Sequence, residues 1–223
     1  MKLNIAIDGP SASGKSTIAK ALAKRLNYTH LDTGAMYRAC AYKALKHNID
    51  TKREDDLVKM VNSSHFAFDD SGHILLDGKD ISTKIRTKEL DLLTSTVAQY
   101  PKLRESLVLI QREIAKNKGY ILDGRDIGSV VLPDAEVKIF QTASIESRAK
   151  RRLSEYVNKG IEIDYQTIYD EIKLRDYQDQ NREHSPLIRT QDAYLLDTSE
   201  LSIDESVEFV YKLAIQKMNE RSG

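Results

Sequence analysis

The run Ile5-Ala6-Ile7-Asp8-Gly9-Pro10-Ser11-Ala12-Ser13-Gly14-Lys15-Ser16-Thr17 carries an apolar stretch into a glycine-rich turn and straight on into a helix-period pattern. Gly9, Gly14, Lys15 and Ser16 fill the fixed positions of the P-loop pattern in its strand-to-helix context. The chemistry served by that spacing is the holding of phosphates. Successive backbone N–H groups and a helix N-terminus form an anion cradle, and glycines let the backbone come close to phosphate oxygens. The lysine ammonium reaches the outer phosphates, and the Ser16 hydroxyl is a candidate magnesium ligand. A glycine turn matching all fixed positions by chance in such a composition is on the order of one per cent. The segment Gly9–Thr17 is therefore read as the binding site of a nucleoside triphosphate.

Two further groups of residues could act beside it. Asp123-Gly124-Arg125-Asp126 follows the apolar run Tyr120-Ile121-Leu122. An acidic residue at the carboxyl end of a strand commonly supports magnesium in P-loop proteins, and that edge of an open parallel sheet is where ligands bind. The competing reading is a plain Asp-Gly turn. Arg148, Arg151 and Arg152 share one helix face, as do Arg175, Asp179 and Arg182. Solvated ion-pair faces account for many surface charges, whereas arginine is favoured where phosphate is gripped bidentately. On the second reading, the two helices joined through Lys159-Gly160-Ile161 form a mobile lid. His30, His65 and His73 lie in or beside strands, and His47 and His184 near helix ends; none is spaced with a nucleophile and an acid, and all are read as structural. Tyr37 follows the second strand-to-helix switch and could touch a ligand.

The elements that must position these groups come from hydrophobic periodicity. Leu3–Ile7 reads as a buried strand, Gly14–Leu26 as a helix, Tyr28–Leu31 as a strand, and Ala35–Lys46 as a helix after the turn Asp32-Thr33-Gly34. This alternation predicts a parallel α/β sheet. After a short helix at 54–61 the pattern breaks into strand, turn and strand at 65–76, a small antiparallel insertion. Helices are expected at 88–99 and 102–117, on either side of Tyr100-Pro101. Strands at 120–122, 136–142 and 193–196 alternate with helices at 144–158, 164–183 and 202–219. Five core strands result, and no linker separates independent domains.

Composition sets the outer limits. The chain has 223 residues, with 34 basic and 34 acidic side chains and no net charge, so nothing global points to nucleic acid or an anionic membrane as partner. A single cysteine, Cys40, rules out an intramolecular disulfide and fits a reducing, cytoplasmic setting; it is read as core filler. No apolar run approaches the roughly 20 residues of a membrane span, and the first strand is too short for a signal segment.

The motifs taken in order resemble those of bacterial cytidylate kinases. They are Gly9–Thr17, Asp32-Thr33-Gly34-Ala35-Met36-Tyr37-Arg38, Asp123-Gly124-Arg125-Asp126-Ile127-Gly128, Arg175-Asp176 with Asp179 and Arg182, and Leu196-Asp197-Thr198-Ser199. The resemblance spans nearly the whole chain. It implies a P-loop nucleoside monophosphate kinase fold of α/β class, a five-stranded parallel sheet flanked by helices. The core would occupy about 1–60, 101–150 and 185–223, the acceptor-binding insertion about 61–100, and the helical lid about 151–165. The implied reaction moves a phosphoryl group from ATP to CMP or dCMP with Mg2+, in a cytoplasmic monomer. Thr33, Tyr37 and Arg38 match acceptor-site positions; Ser95, Arg104 and Asp126 match cytosine contacts; Arg125 and Arg182 match phosphate contacts, and Arg175 and Asp179 match sugar and acceptor contacts. Lys15, Asp123, Arg125 and the lid arginines Arg148 and Arg152 would serve catalysis. Departures are mild: Ser129 stands where the family often has threonine, and Lys102-Leu103 where Arg-Val is common.

Elementary chemistry agrees with that assignment. An acceptor phosphate needs no general base, and the task is to bring two polyanions into line and stabilise the moving charge. A carboxylate at Asp126 would accept from the cytosine amino group and repel the uracil carbonyl, and Arg104 can donate to N3 and O2. A shikimate- or uridylate-type kinase does not account for the insertion and the Asp123–Asp126 motif. A GTP-driven switch would need Asn-Lys-x-Asp, and both Asn117-Lys118-Gly119-Tyr120 and Asn158-Lys159-Gly160-Ile161 lack the aspartate. A non-catalytic binding module would not need the intact lysine, serine and arginine set.

Overall fold

The computed structural model describes residues 2–69, 71–158 and 160–221. Asp70, in the expected 69–72 turn, and Lys159, in the expected lid joint, lie outside the described residues. The chain runs through β1 (Asn4–Asp8), α1 (Lys15–Leu26), β2 (Thr29–Asp32), α2 (Thr33–Lys46) and α3 (Glu54–Asn62). It continues through β3 (Phe66–Phe68), β4 (Ile74–Leu76), β5 (Lys79–Asp80), α4 (Lys88–Val97), α5 (Pro101–Ala115) and β6 (Tyr120–Gly124). A π turn (Ile127–Val131) leads to β7 (Val137–Thr142), α6 (Ile145–Asn158), α7 (Tyr165–Asn181), β8 (Tyr194–Asp197) and α8 (Ile203–Glu220).

The central sheet has five parallel strands in the order β2-β6-β1-β7-β8. Because strand side chains alternate, each buried strand feeds two layers. Ile5 and Ile7 of β1 pack with Leu22 of α1 and Val210 of α8. Ala6 faces the opposite layer, with Leu31, Met36 of α2, Leu57 of α3 and Leu107 of α5. Phe66, Ile74, Ile85, Leu90 and Val97 of the insertion belong to that same cluster, so the insertion shares the main core. Helices α6 and α7 pack on each other through a small cluster, Ala149, Ile168 and Ile172, against which Ala12 of the loop before α1 also packs.

Three local features differ from the sequence expectation. The Asp77-Gly78 turn is a hairpin that returns Lys79-Asp80 against Leu75-Leu76, giving the insertion a third strand. Strand β6 continues through Asp123-Gly124, because Asp32 and Asp8 on its neighbours pair with these residues. The segment after Asp126 winds into the π turn, because the buried Asp8 carboxylate accepts from the N–H groups of Ile127 and Gly128, both at 2.7 Å. Helix starts agree with capping chemistry. Asp32 accepts from Ala35 N, Asp164 from Thr167 N, and Ser202 forms a capping box with Glu205.

Between β1 and α1 the backbone runs hard against β7. A Cβ on Gly9 would lie 1.9 Å from the Gln141 carbonyl oxygen, closer than any non-bonded contact allows. The obstacle is backbone of a central strand and has little room to yield. Gly9→Ala is expected to destabilise the fold by about 1–3 kcal/mol or more, read as a lowered thermal unfolding midpoint; an unchanged midpoint would contradict this packing.

Candidate functional site

The sheet's carboxyl edge opens into a cavity of about 290 Å³. Its walls come from the P-loop, the start of α2, α4, the end of β6 and helices α6 and α7. Ser11–Thr17 form one wall. Within it Gly14 has φ 93° and Ala12 has φ 57°, left-handed conformations that curl the backbone into an anion nest. The loop's carbonyls are held from outside. Ser11 O accepts from Arg148 at 3.2 Å, and Ser13 O accepts from Gln141 Nε2 at 2.5 Å, Arg151 at 3.1 Å and Thr198 Oγ1 at 3.2 Å. In a trans peptide the N–H points opposite the C=O, so the Ala12 and Gly14 N–H groups face the other way. No side chain caps the N-terminus of α1, which leaves its first N–H groups free for an anion.

Lys15 is 5% exposed and folds back to donate to Pro10 O at 2.7 Å. Burial, and then the Arg125 guanidinium, lower its pKa to about 7. Ser16 Oγ donates to Asp123 Oδ2 at 2.7 Å, and His30 Nε2 lies 2.6 Å from Asp123 Oδ1. Burial works to raise the Asp123 carboxyl, but the His30 hydrogen bond, Lys15 and the Ser16 hydroxyl outweigh it and hold the group below the ordinary range. Thr33, at the start of α2, donates from Oγ1 to Asp123 O at 2.7 Å.

The facing walls are cationic. Eight basic side chains (Lys15, Arg38, Arg86, Arg104, Arg125, Arg152, Arg175 and Arg182) line the cavity with five carboxylates, an excess of positive charge suited to polyanions. Most arginines are held by a carboxylate. Arg38 donates to Asp91 Oδ1 through Nε and Nη2 at 3.0 and 2.8 Å. Arg125 Nε donates to Asp179 Oδ2 at 2.6 Å, and Arg86 Nη2 to Asp32 Oδ2 at 2.9 Å. Arg152 lies 3.1 Å from Glu155 and 3.8 Å from Asp91. Arg175 makes no ion pair among the described residues; burial, and then Arg125, lower its pKa to about 10. Arg182 donates from Nε to Ser185 O at 2.5 Å, while its buried Nη2 sits 3.7 Å from Asp126, too far for a hydrogen bond.

At one end, Arg104 and Asp126 are bonded to each other, 4% and 5% exposed. Arg104 also donates to Ala98 O at 3.0 Å and lies over the Tyr37 ring, 5.2 Å from its centroid. Tyr37, buried there, has its hydroxyl pKa pushed up by burial. This is a sheltered pocket end with a fixed donor, a fixed acceptor and an aromatic wall.

Most expected site residues meet here, including Thr33, Tyr37, Arg38, Asp123, Arg125, Asp126, Arg152, Arg175, Asp179 and Arg182. Gly9 and Pro10 lie behind the loop rather than in its wall. Ser95 is not among the cavity-lining residues, whereas the neighbouring Thr94 is; the hydroxyls of both donate to their own helix, Ser95 to Asp91 O at 3.2 Å and Thr94 to Leu90 O at 2.5 Å. Arg148, expected to meet the transferring group, is 3% exposed and bound on every side. Its Nε donates to Ala143 O at 2.9 Å, Nη1 to Ser11 O, and Nη2 lies 2.7 Å from Asp176. It ties the P-loop to α6 and α7. Among the contributors that escaped the sequence reading are His30, Arg86, Asp91, Thr94 and Glu155. For His30 the sole sequence signal is its place two residues before Asp32; its nearness to Asp123 needs the β2–β6 pairing.

The described residues contain no cluster of three or more His, Cys, Asp or Glu side chains that could cage a metal. Ser16 and Asp123 nevertheless place two hard oxygen donors 2.7 Å apart in the cavity wall. That fits Mg2+, which binds through one or two protein oxygens while phosphates and water complete its shell.

The family model described as cytidylate kinase matches residues 5–216. A cytidylate kinase of Caldicellulosiruptor bescii is 48% identical over 215 residues, 95% of each chain. One of Enterococcus faecalis is 46% identical over 219 residues, 97% of each chain. Among solved structures, a shikimate kinase from Bacteroides thetaiotaomicron superposes with a TM-score of 0.50 at 15% identity, covering 96% of this chain and 98% of that one. At that identity the likeness is one of fold.

The Lys15 pKa of about 7 has a measurable consequence. The ammonium is charged below that pH and neutral above it, and a bound phosphate favours the charged form. Binding of a nucleoside triphosphate above neutrality should therefore take up a proton, and affinity should weaken with rising pH, by at most about tenfold per unit. Calorimetric titration between pH 7.5 and 9 in buffers of different ionisation enthalpy reads both effects. Lys15→Arg, charged throughout, should flatten the profile; a flat wild-type profile would contradict the assignment.

Proposed function

The chain belongs to the cytidylate kinase family, and on that premise we propose that it transfers the γ-phosphoryl group of ATP to the phosphate of CMP or dCMP, giving ADP and CDP or dCDP. We take it to act as a Mg2+-dependent monomer in the cytoplasm. The observation that carries this reading is the continuity of one cavity from the P-loop to the Arg104–Asp126 pair. Both substrates can then lie end to end with their phosphates meeting among the arginines. No helix among the described residues is long and apolar enough to cross a membrane.

The donor phosphates would occupy the nest of Ser11–Thr17, with Lys15 released from Pro10 O to reach them. Ser16 and Asp123 are the residues that would hold Mg2+, which when bound neutralises phosphate charge and orients the donor. The acceptor phosphate is already ionised, so no side chain has to remove a proton from it. Arg38, Arg125 and Arg182 would instead clamp it, the first two exchanging carboxylate partners for phosphate oxygens. Arg182 Nη2, buried without a hydrogen-bond acceptor, is the donor most in need of such a partner. Arg152 stands on α6, and the α6–α7 hairpin, whose small core is distinct from the two sheet layers and meets the P-loop at Ala12, would close as a lid and exclude competing water.

Base choice follows from the buried pair. Asp126 Oδ2 accepts from Arg104, and an ionised carboxylate has about four lone-pair sites, so Oδ1 keeps the capacity to accept a cytosine amino group. Uracil presents a carbonyl oxygen at that place, and two acceptors repel. Arg175 and Asp179, beside Arg125, would meet the sugar.

The test is ADP release with ATP and Mg2+ over CMP, dCMP, UMP, AMP, GMP and shikimate. CMP should stimulate most strongly, and absence of CMP-stimulated release would overturn the reading. Asp126→Asn is expected to lower the CMP-to-UMP ratio of kcat/KM by roughly tenfold or more, the order expected for a charged hydrogen bond. An equal fall with both acceptors would remove Asp126 from base recognition.

A further inference from the structure

We propose that His30 is a positioning residue of the donor site, its buried ring aiming the Asp123 carboxylate so that the second oxygen meets Ser16. The inference rests on the reading of Ser16 and Asp123 as the metal-bearing pair. His30 sits on β2 at 3% exposure, with Nε2 2.6 Å from Asp123 Oδ1. Oδ2 of the same carboxylate lies 2.7 Å from Ser16 Oγ. A carboxylate on a strand end is free to turn about two side-chain bonds. Fixing one oxygen with a buried ring leaves the other a single direction, and here that direction is the P-loop hydroxyl.

The local structure explains why the ring can do this. In the β2–β6 register His30 pairs with Ile121 and Asp32 with Asp123, so His30 stands diagonally across from Asp123 on one face of the sheet. An ionised carboxylate only accepts, so the ring must donate through Nε2–H. Nδ1 is buried with no hydrogen-bond partner among the described residues. The ring is therefore held by one polar contact, directed at Asp123, and otherwise by packing. The tip of the β3–β4 hairpin supplies some of that packing. A Cβ on Gly72 would lie 3.3 Å from His30 O and 3.5 Å from Nδ1, and Gly72 itself has φ +76°. The acceptor insertion thus closes over the residue that orients the donor-site carboxylate.

A buried histidine that served stability alone would affect melting and nothing else. The two roles separate by chemistry. His30→Leu keeps the bulk and removes the donor, whereas His30→Gln places an amide N–H near the position of Nε2. The experiment measures Mn2+ binding to the enzyme–ADP complex by electron paramagnetic resonance, ADP affinity in EDTA, and the Mg2+ concentration for half-maximal turnover. His30→Leu is expected to weaken Mn2+ binding and raise the Mg2+ requirement by tenfold or more, with ADP affinity in EDTA within threefold of wild type. His30→Gln should recover both metal readouts to within threefold. Should His30→Leu fail to fold, His30→Asn, whose amide is too short to reach Asp123, takes its place with the same expectation. Unchanged metal binding in the donor-less variant, or equal losses in it and in His30→Gln, would overturn the proposal. Asp123→Asn distinguishes the two levels. If it too leaves metal binding unchanged, the donor-site reading fails with the proposal; if it weakens metal binding where His30→Leu does not, only the role of His30 falls.

Discussion

The structure depends on the cost of holding many like charges in one cavity when no phosphate is there to neutralise them. Arginines and a lysine that converge on a small volume repel one another, and burial removes the water that would screen them. The protein meets this by giving five of the eight cavity cations a fixed carboxylate. Asp91 takes Arg38, Asp126 takes Arg104, and Asp179 takes Arg125. Lys15, Arg175 and Arg182, which no carboxylate hydrogen-bonds among the described residues, are held below their ordinary basicity, chiefly by burial.

The carboxylates that do this come from separate parts of the chain, and their placement is what the fold supplies. Asp123 and Asp126 stand at and just beyond the end of β6, Asp179 on α7 and Asp91 on α4. The parallel sheet brings the ends of β1, β2 and β6 to one edge, and Asp8 stitches the P-loop strand to the π turn behind Asp126. The P-loop is shaped from outside. Arg148, Arg151, Gln141 and Thr198 hold its carbonyls, so parts of β7, α6 and the β8 end help determine where its N–H groups point. A substitution at any of these outer positions would act on phosphate binding without touching a ligand.

The P-loop turn was legible in the sequence because its parts are local. Its strand, turn, lysine and helix start are contiguous, and each requirement is met within a few residues. The residues proposed for the acceptor are dispersed, and the fold gathers into one cavity side chains that no spacing rule would connect, such as Tyr37 and Arg104. Ser95 and Arg148 sit on the expected helices, but which residue of a helix reaches the cavity is decided by packing. Thr94 rather than Ser95 lies in the cavity wall, and Arg148 is drawn under the P-loop by Asp176 and two carbonyls. His30 was read as structural for lack of a partner at recognisable spacing; its partner is ninety-three residues away.

What the sequence determined by itself was therefore the inventory and the local frame. The alternation of strands and helices, the five-strand parallel sheet, the phosphate-binding turn and the charged side chains available to it follow from periodicity, capping and residue type. The tertiary structure decided the pairing. It set which carboxylate restrains which arginine, which of two adjacent residues faces the cavity, how far β6 extends, and that a histidine on one strand meets an aspartate on the next. The reason is physical: local propensities act over a few residues, whereas the free energy of a buried charge is set by neighbours that only the packed fold brings within a few ångströms.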